Sequence, residues 1–260
     1  MTRFKRQNII VKSAAQIDQM REAGIVAARA LRHVCEAVEP GISTAQLDDI
    51  ARAVIADSGA TATFLGYAGF PASICTSINS EVVHGIPSKT VKLCLGDIVA
   101  IDVGATLNGW IGDNAATVAV GAAGTDLDRQ SQHLIDVTRQ ALYAGIAQCV
   151  PGNRLGDVSA AIGGVGRAAG LGIVQEYVGH GIGQALHEDP SIPNEGTAGK
   201  GPILKEGMVF AIEPMFTLGT DKVVLRGDGW TVVTSDGSRA AQIEHTVAIT
   251  KDGPFILTKE

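Results

Sequence analysis

Two apolar runs far apart in the chain each end in a carboxylate. VAIDVG (99–104) carries Asp102, and FAIEPM (210–215) carries Glu213. An unpaired buried carboxylate costs several kcal/mol or is driven to hold a proton, so something positive is expected beside each. Asn108-Gly109 is a strong two-residue hairpin signal favouring a type I′ turn. That turn pairs Leu107 with Trp110 and sets Asp102 opposite Ala115. Side-chain alternation then puts Asp113 on the face of Asp102, diagonally across, with Cα atoms roughly 7–8 Å apart. Two carboxylates so close repel unless a proton or a metal lies between them. Glu244, in IEHTVAIT, lies on a later strand pattern, and His180, in VGHGIGQALHEDP, is flanked by glycines that allow close backbone approach. Four carboxylates and one imidazole are too many ligands for one tetrahedral zinc. They suit two divalent cations sharing carboxylates, as in two-metal hydrolases. Oxygen-rich ligation with one imidazole favours Co, Mn, Fe(II) or Zn over copper.

The elements that must carry these residues repeat. LCLGDIVAID (93–102) aligns with LKEGMVFAIE (204–213), so that Asp102 falls on Glu213, and Pro40-Gly41 aligns with Pro151-Gly152. His-Gly-Ile also occurs twice, at His84 and His180. The reading is a single catalytic domain over 1–260 built from two related halves, about 14–121 and 126–258, joined near Gly121 to Thr125. Ser13 with Gln16 and Ser43 with Gln46 are capping boxes that open two helices. The matching helices of the second half span 134–146 and 158–169, the latter despite Gly163, Gly164 and Gly166. Strands are expected at 96–104 and 110–120, then at 207–214, 230–234 and 241–250. Helix pairs followed by hairpins make an α+β class. Residues 184–206 read as one long functional loop.

Several function classes drop out. The net charge of −6 comes without a basic stripe, which excludes DNA or other nucleic acid as the main partner. No run reaches the ~18 apolar residues that span a bilayer, and MTRFKRQNIIVKSAAQ has no apolar signal-peptide core. Cys35, Cys75, Cys94 and Cys149 have no framework spacing, which suggests a reducing compartment, the cytoplasm. Gly164-Val165-Gly166 with Gly170 mimics a dinucleotide loop but lies inside a helix pattern. His33 and His133 read as surface residues. His245 alternates away from Glu244 and reads as support for the site rather than a ligand.

SINSEVVHGIP, AIDVGA, GDNAATVAVG, GHGIGQALHEDP, FAIEPM and IEHTVAIT occur in this order along the chain. With these motifs the sequence resembles the bacterial, type I methionine aminopeptidases, metallopeptidases of the M24 pita-bread family, over about residues 14–258. The resemblance implies two pseudo-symmetric halves around a central dinuclear site. It makes Asp102, Asp113, His180, Glu213 and Glu244 the metal ligands, with Asp113 and Glu244 bridging, and His84 and His187 catalytic histidines that contact substrate. It puts the methionine pocket at Tyr67, Phe70, Cys75, Leu186 and Trp230. The implied reaction removes the N-terminal Met of nascent polypeptides and peptides by attack of a metal-activated hydroxide, with Glu213 shuttling a proton. The implied setting is a cytoplasmic monomer with transient ribosome association. Ile111, Asn114 and Ala68 stand where many members have His, Thr and His, which bears on the pocket mouth. An X-Pro aminopeptidase or prolidase on the same fold is the nearest alternative; those enzymes usually carry a substantial N-terminal domain, whereas about a dozen residues precede the first helix here. A pita-bread binding protein that has lost its metal is the alternative from another class.

Overall fold

The computed structural model describes residues 8–121 and 124–260. The basic start MTRFKRQ and the middle of the expected joint, residues 122–123, lie outside the described residues. In the first half, helices α1 (Ala14–Glu36) and α2 (Thr44–Asp57) precede short strands β1 (Thr61–Ala62), β2 (Cys75–Ile78) and β3 (Glu81–Val83) and the long hairpin β4 (Ile98–Leu107) and β5 (Trp110–Ala119). The second half begins with α3 (Asp126–Ala147) and α4 (Leu155–Ala168), then β6 (Gly172–Ile173), β7 (Gly179–Gly181), β8 (Glu188–Ile192) and β9 (Val209–Ile212). It closes with β10 (Met215–Thr217), β11 (Val223–Leu225), β12 (Val232–Thr234), β13 (Ala240–Gln242), β14 (Glu244–Thr250) and β15 (Gly253–Ile256).

Both capping boxes form: the hydroxyls of Ser13 and Ser43 accept from the Gln16 and Gln46 amides, and both glutamines accept in return from the cap N–H groups. The hairpin turn has φ of 51° at Asn108 and 79° at Gly109, the two positive values a type I′ turn needs. Its register is as expected, with Leu107 opposite Trp110 and Asp102 opposite Ala115.

The main sheet runs β1-β4-β5-β14-β9-β7-β8, with β2 also on β4 and β15 also on β14. Two smaller sheets run β13-β10-β6 and β11-β12-β3. One face of the main sheet is covered by helices. Val99, Ile101 and Val103 pack with Val26, Leu31, Val34, Leu47 and Ile55 of α1 and α2. Phe210, Ile212 and Val247 pack with Leu134, Leu142, Val158 and Ile162 of α3 and α4. Each such side chain, fully buried, contributes roughly 1.5–3 kcal/mol. Because strand side chains alternate, the residues between them face away from the helices, and those residues include Asp102 and Asp113.

Three of the differences from expectation have a plain physical reason. Helix α3 starts at Asp126 rather than 134, because the Thr125–Asp128 capping box opens it through polar turns that carry no apolar period. The expected strand 241–250 breaks at Ile243: Ala240–Gln242 pairs with β10, whereas Glu244 onward pairs with β5 and β9. The expected loop 184–206 contains β8, an edge strand that tolerates Pro190 because it needs no donor on its open side. The glycine-rich α4 forms nonetheless, and a Cβ on Gly166 would lie 2.8 Å from the Phe216 ring, so close packing outweighs propensity.

Helix α1 crosses β5 at a glycine pair: a Cβ on Gly112 would sit 2.4 Å from the Cα of Gly24 and 2.6 Å from its nitrogen. Both are backbone atoms, so the helix would have to move. Gly112→Ala is expected to destabilise the protein by roughly 1–3 kcal/mol in urea unfolding, the usual range for overpacking. An unchanged midpoint would show that this approach is not tight.

Candidate active site

Five neighbouring strands of the main sheet each bring one of the expected ligands. Asp102 lies on β4, Asp113 on β5 and Glu244 at the start of β14; Glu213 follows β9, and His180 is the middle of β7. Ala115 is the hub, paired with Asp102 on one side and Glu244 on the other. On the far side of β9, His180 pairs with Ala211, two residues before Glu213. Asp113, His180 and Glu244 offer donor atoms that all lie within 4.8 Å of one another. His180 Nε2 is 3.9 Å from Asp113 Oδ2 and 3.7 Å from Glu213 Oε1. Asp102 joins through the hairpin register, opposite Ala115 and diagonal to Asp113 on the same sheet face.

The electrostatics are those of a crowded acid cluster. Burial raises the pKa of Asp102 to about 7. Burial, then the neighbouring carboxylates, holds Asp113, Glu213 and Glu244 well above the ordinary carboxylate range. Burial also lowers His180 to about 3. Its short distances to the carboxylates are therefore not ion pairs, because the ring is neutral. His180 Nδ1 lies 3.0 Å from the carbonyl of Gly181, which can only accept, so Nδ1 carries the proton and Nε2 turns its lone pair toward the acids. Among the described residues lining the site there is no lysine or arginine. Asp102 Oδ1 and Glu244 Oε1 are buried without a hydrogen-bond partner. Orphaned buried oxygens, several carboxylates and one imidazole lone pair form a donor set that fits divalent cations.

Above the acids lies a pocket lined by Phe64, Tyr67, Phe70, Cys75, His84, Leu186, His187 and Trp230. All the residues expected of the methionine pocket are thus brought together with both further histidines. Phe70 meets Trp230 edge-on at 5.1 Å between ring centroids. The Tyr67 hydroxyl is 2.7 Å from His187 Nδ1, and the His187 ring lies 4.4 Å from that of His180. His84 sits between Tyr177 and Trp230 and has φ of 61°, a left-handed conformation that a non-glycine residue adopts only when its surroundings impose it. Burial lowers His84 to about 4 and also lowers His187, so both rings are neutral at physiological pH. Cys75 pairs with Asp102 across β2 and β4. Burial and then the carboxylates push its thiol well up, so it is an inert wall group rather than a thiolate. Asp48 of α2 accepts from the amides of Ser73 and Ile74 and so sets the start of β2.

Two contributors are absent from the expected set. Gln242 Nε2 donates to Glu213 Oε2 at 3.0 Å and reaches Asp102 Oδ2 at 3.4 Å, so one amide ties together acids from both halves. Its place two residues before Glu244 was the available signal. Phe64, beside Tyr67, carried none beyond its apolarity. His245 is a correction: it does turn away from the acids, but its ring partners are Thr258 and Tyr143 rather than any of the ligands. Asn114 also faces that side, through Thr258. Ile111 is buried, and Ala68 is exposed on the rim with φ of 48°. His33 and His133 are exposed, as expected.

The model of metallopeptidase family M24 matches residues 18–251. Methionine aminopeptidase 1 of Mycobacterium tuberculosis is 55% identical over 259 residues, covering 97% of this chain and 96% of that protein. The crystal structure of methionine aminopeptidase from Thermotoga maritima superposes with a TM-score of 0.94 at 44% identity, covering 97% of this chain and all of the other. The prolidase of Pyrococcus furiosus shares the fold, with a TM-score of 0.74, but at 24% identity and with only 66% of its length covered. The pita-bread architecture, the M24 match and the full-length likeness agree, and the chain belongs to the methionine aminopeptidases of metallopeptidase family M24.

Proposed function

We propose that this chain hydrolyses the first peptide bond of peptides and nascent proteins that begin with methionine, releasing free methionine. We propose further that it does so as a single catalytic domain with its site between two related halves, about 14–121 and 126–258. Divalent metal is the cofactor of this family of metallopeptidases. Two ions of Co, Mn, Fe(II) or Zn would be held by Asp102, Asp113, His180, Glu213 and Glu244. The observation that carries the reading is the group of buried acids, two of whose oxygens are unpartnered, beneath an apolar pocket. Bound divalent cations would supply an acidified water and polarise the scissile carbonyl.

The chain's own residues do the rest. The pocket of Phe64, Tyr67, Phe70, Cys75, Leu186 and Trp230 suits an unbranched thioether, which gains from contact with aromatic edges. A free α-amine would bind at the pocket floor, where the cation-holding acids lie, and this would confine cleavage to the first residue. His84 and His187 are neutral, and each can donate one N–H to the carbonyl oxygen as charge develops there. Glu213 would take the proton released by the attacking water and pass it to the departing amine. Nascent chains as substrates would place the enzyme in the cytoplasm, as a monomer in transient contact with the ribosome. Among the described residues no helix is long and apolar enough to cross a membrane.

Incubation of the metal-loaded protein with Met-Ala-Ser is expected to release free methionine, and X-Pro peptides are expected to stay intact. Asp102→Asn should lower kcat/KM by roughly 100-fold or more, the scale of losing electrostatic stabilisation in a dry site. Cleavage of X-Pro peptides with none of Met-Ala-Ser would assign the chain to the prolidase activity instead.

The proton balance gives a second expectation. Groups whose folded pKa is raised stabilise the metal-free protein below their unfolded value, and this contribution is lost as pH rises through the folded value, about 7 for Asp102. The histidines act oppositely, but only below their ordinary 6.5, since His84 falls to about 4 and His180 to about 3. Above pH 6.5 the acids therefore decide, and stability falls by about 1.4 kcal/mol per pH unit for each proton still retained. Urea midpoints of chelator-treated protein should decline across that window, and saturating Mn²⁺ should abolish the trend because the cation replaces the protons. A midpoint that rises with pH in the metal-free protein would contradict the acid cluster.

A further inference from the structure

Leu186 and His187 lie on the turn between β7 and β8, which has almost no regular structure of its own. At its start the turn is held by backbone bonds, Ile182 N–H to Val209 O at 3.2 Å and Ile111 N–H to Gly183 O at 3.0 Å. At its end it is held by a residue from the opposite end of the chain. Lys12 Nζ lies 2.6 Å from Glu188 Oε2, and the two side chains are only 3% and 8% exposed. The other oxygen, Glu188 Oε1, accepts from the amides of Gln184 at 3.2 Å and Ala185 at 3.4 Å, which folds the turn onto itself. Gly183 leaves room for this pair: a Cβ there would meet Glu188 Oε1 at 2.5 Å and Lys12 Cε at 2.8 Å. Lys12 is itself anchored, since its amide donates to Gly207 O at 2.7 Å and Ser13 beside it caps α1. Asn8 adds a bond from its amide to Asp189 Oδ2 at 3.0 Å.

A buried ion pair of this kind contributes little net stability, because desolvation offsets most of the attraction, and what it does supply is a fixed geometry. Lys12 does not line the pocket and has no part in the chemistry above. We infer that Lys12 is a positioning residue for the reaction: through Glu188 it locks the Gly183–Glu188 turn and so keeps the His187 ring against His180 and in hydrogen bond with Tyr67. The inference rests on the role proposed for His187. Charge-assisted bonds are the strong ones, and a site carried on a turn needs such support to hold its geometry.

The test compares Lys12→Met/Glu188→Met with the parent enzyme, both metal-loaded, in the natural background and with His187→Ala. Replacing both charges together avoids leaving one buried alone, so the protein should fold with its metal content unchanged. kcat on Met-Ala-Ser should fall roughly 10- to 100-fold with KM little changed, as for a misplaced group. In the His187→Ala background the same change should cost nothing further. Amide exchange at Gln184 and Ala185 should accelerate while that of β4 stays as it was. Lys12→Met/Glu188→Gln keeps an acceptor for the amides and leaves no charge buried alone, so it serves as the second variant should the first double change impair folding, and it should give a smaller loss of the same kind. Full activity, or an equal loss in both backgrounds, would overturn the positioning role. If His187→Ala alone leaves kcat unchanged, the role given to His187 fails, and a loss on breaking the Lys12 pair would then need another target.

Discussion

Four carboxyl groups share a small, mostly apolar volume, and among the described residues lining it there is no side-chain cation. Close carboxylates in such surroundings cannot all be ionised at once, so they hold protons or bind metal. The two orphaned oxygens, on Asp102 and Glu244, mark where protein partners run out. Everything else in the molecule can be understood as the means of keeping those groups together. The helices cover one face of the sheet and leave the other to the acids, and glycines let α1 press against the hairpin that carries Asp113.

The sheet makes the crowding specific. Asp102, Asp113, Glu244, Glu213 and His180 sit on or directly after five strands that are consecutive in space, although the chain visits them in a different order. Register does the rest, since a slip by one residue on any of these strands would turn its acid toward the helices. Ala115, at the centre, is small enough to leave the space between its neighbours open. Gln242, at the point where the chain leaves one sheet for another, supplies a side-chain amide that reaches acids from both halves.

Much of this was legible because it is local. The Asn108-Gly109 turn fixes a register that determines the diagonal of Asp102 and Asp113 without any distant contact. The serine caps declare two helix starts in a few residues each. The alignment of Asp102 with Glu213 pointed to the second half's contribution. What stayed hidden is long-range or written in polar residues. The first turns of α3 have no apolar period, and the break at Ile243 depends on which partner strand lies on each side. Gln242 and Lys12 act through residues far away in the chain. His245 shows the opposite failure, since alternation placed it on the correct side but not with its actual partners, Thr258 and Tyr143.

Diffraction at a manganese anomalous wavelength, from crystals of the Mn²⁺-loaded protein, tests the central claim most directly. The account predicts two anomalous peaks between Asp102, Asp113, His180, Glu213 and Glu244, at ligand distances of roughly 2.0–2.6 Å, as expected for oxygen and imidazole donors. Absence of bound manganese among these five side chains, or peaks only elsewhere on the molecule, would contradict it.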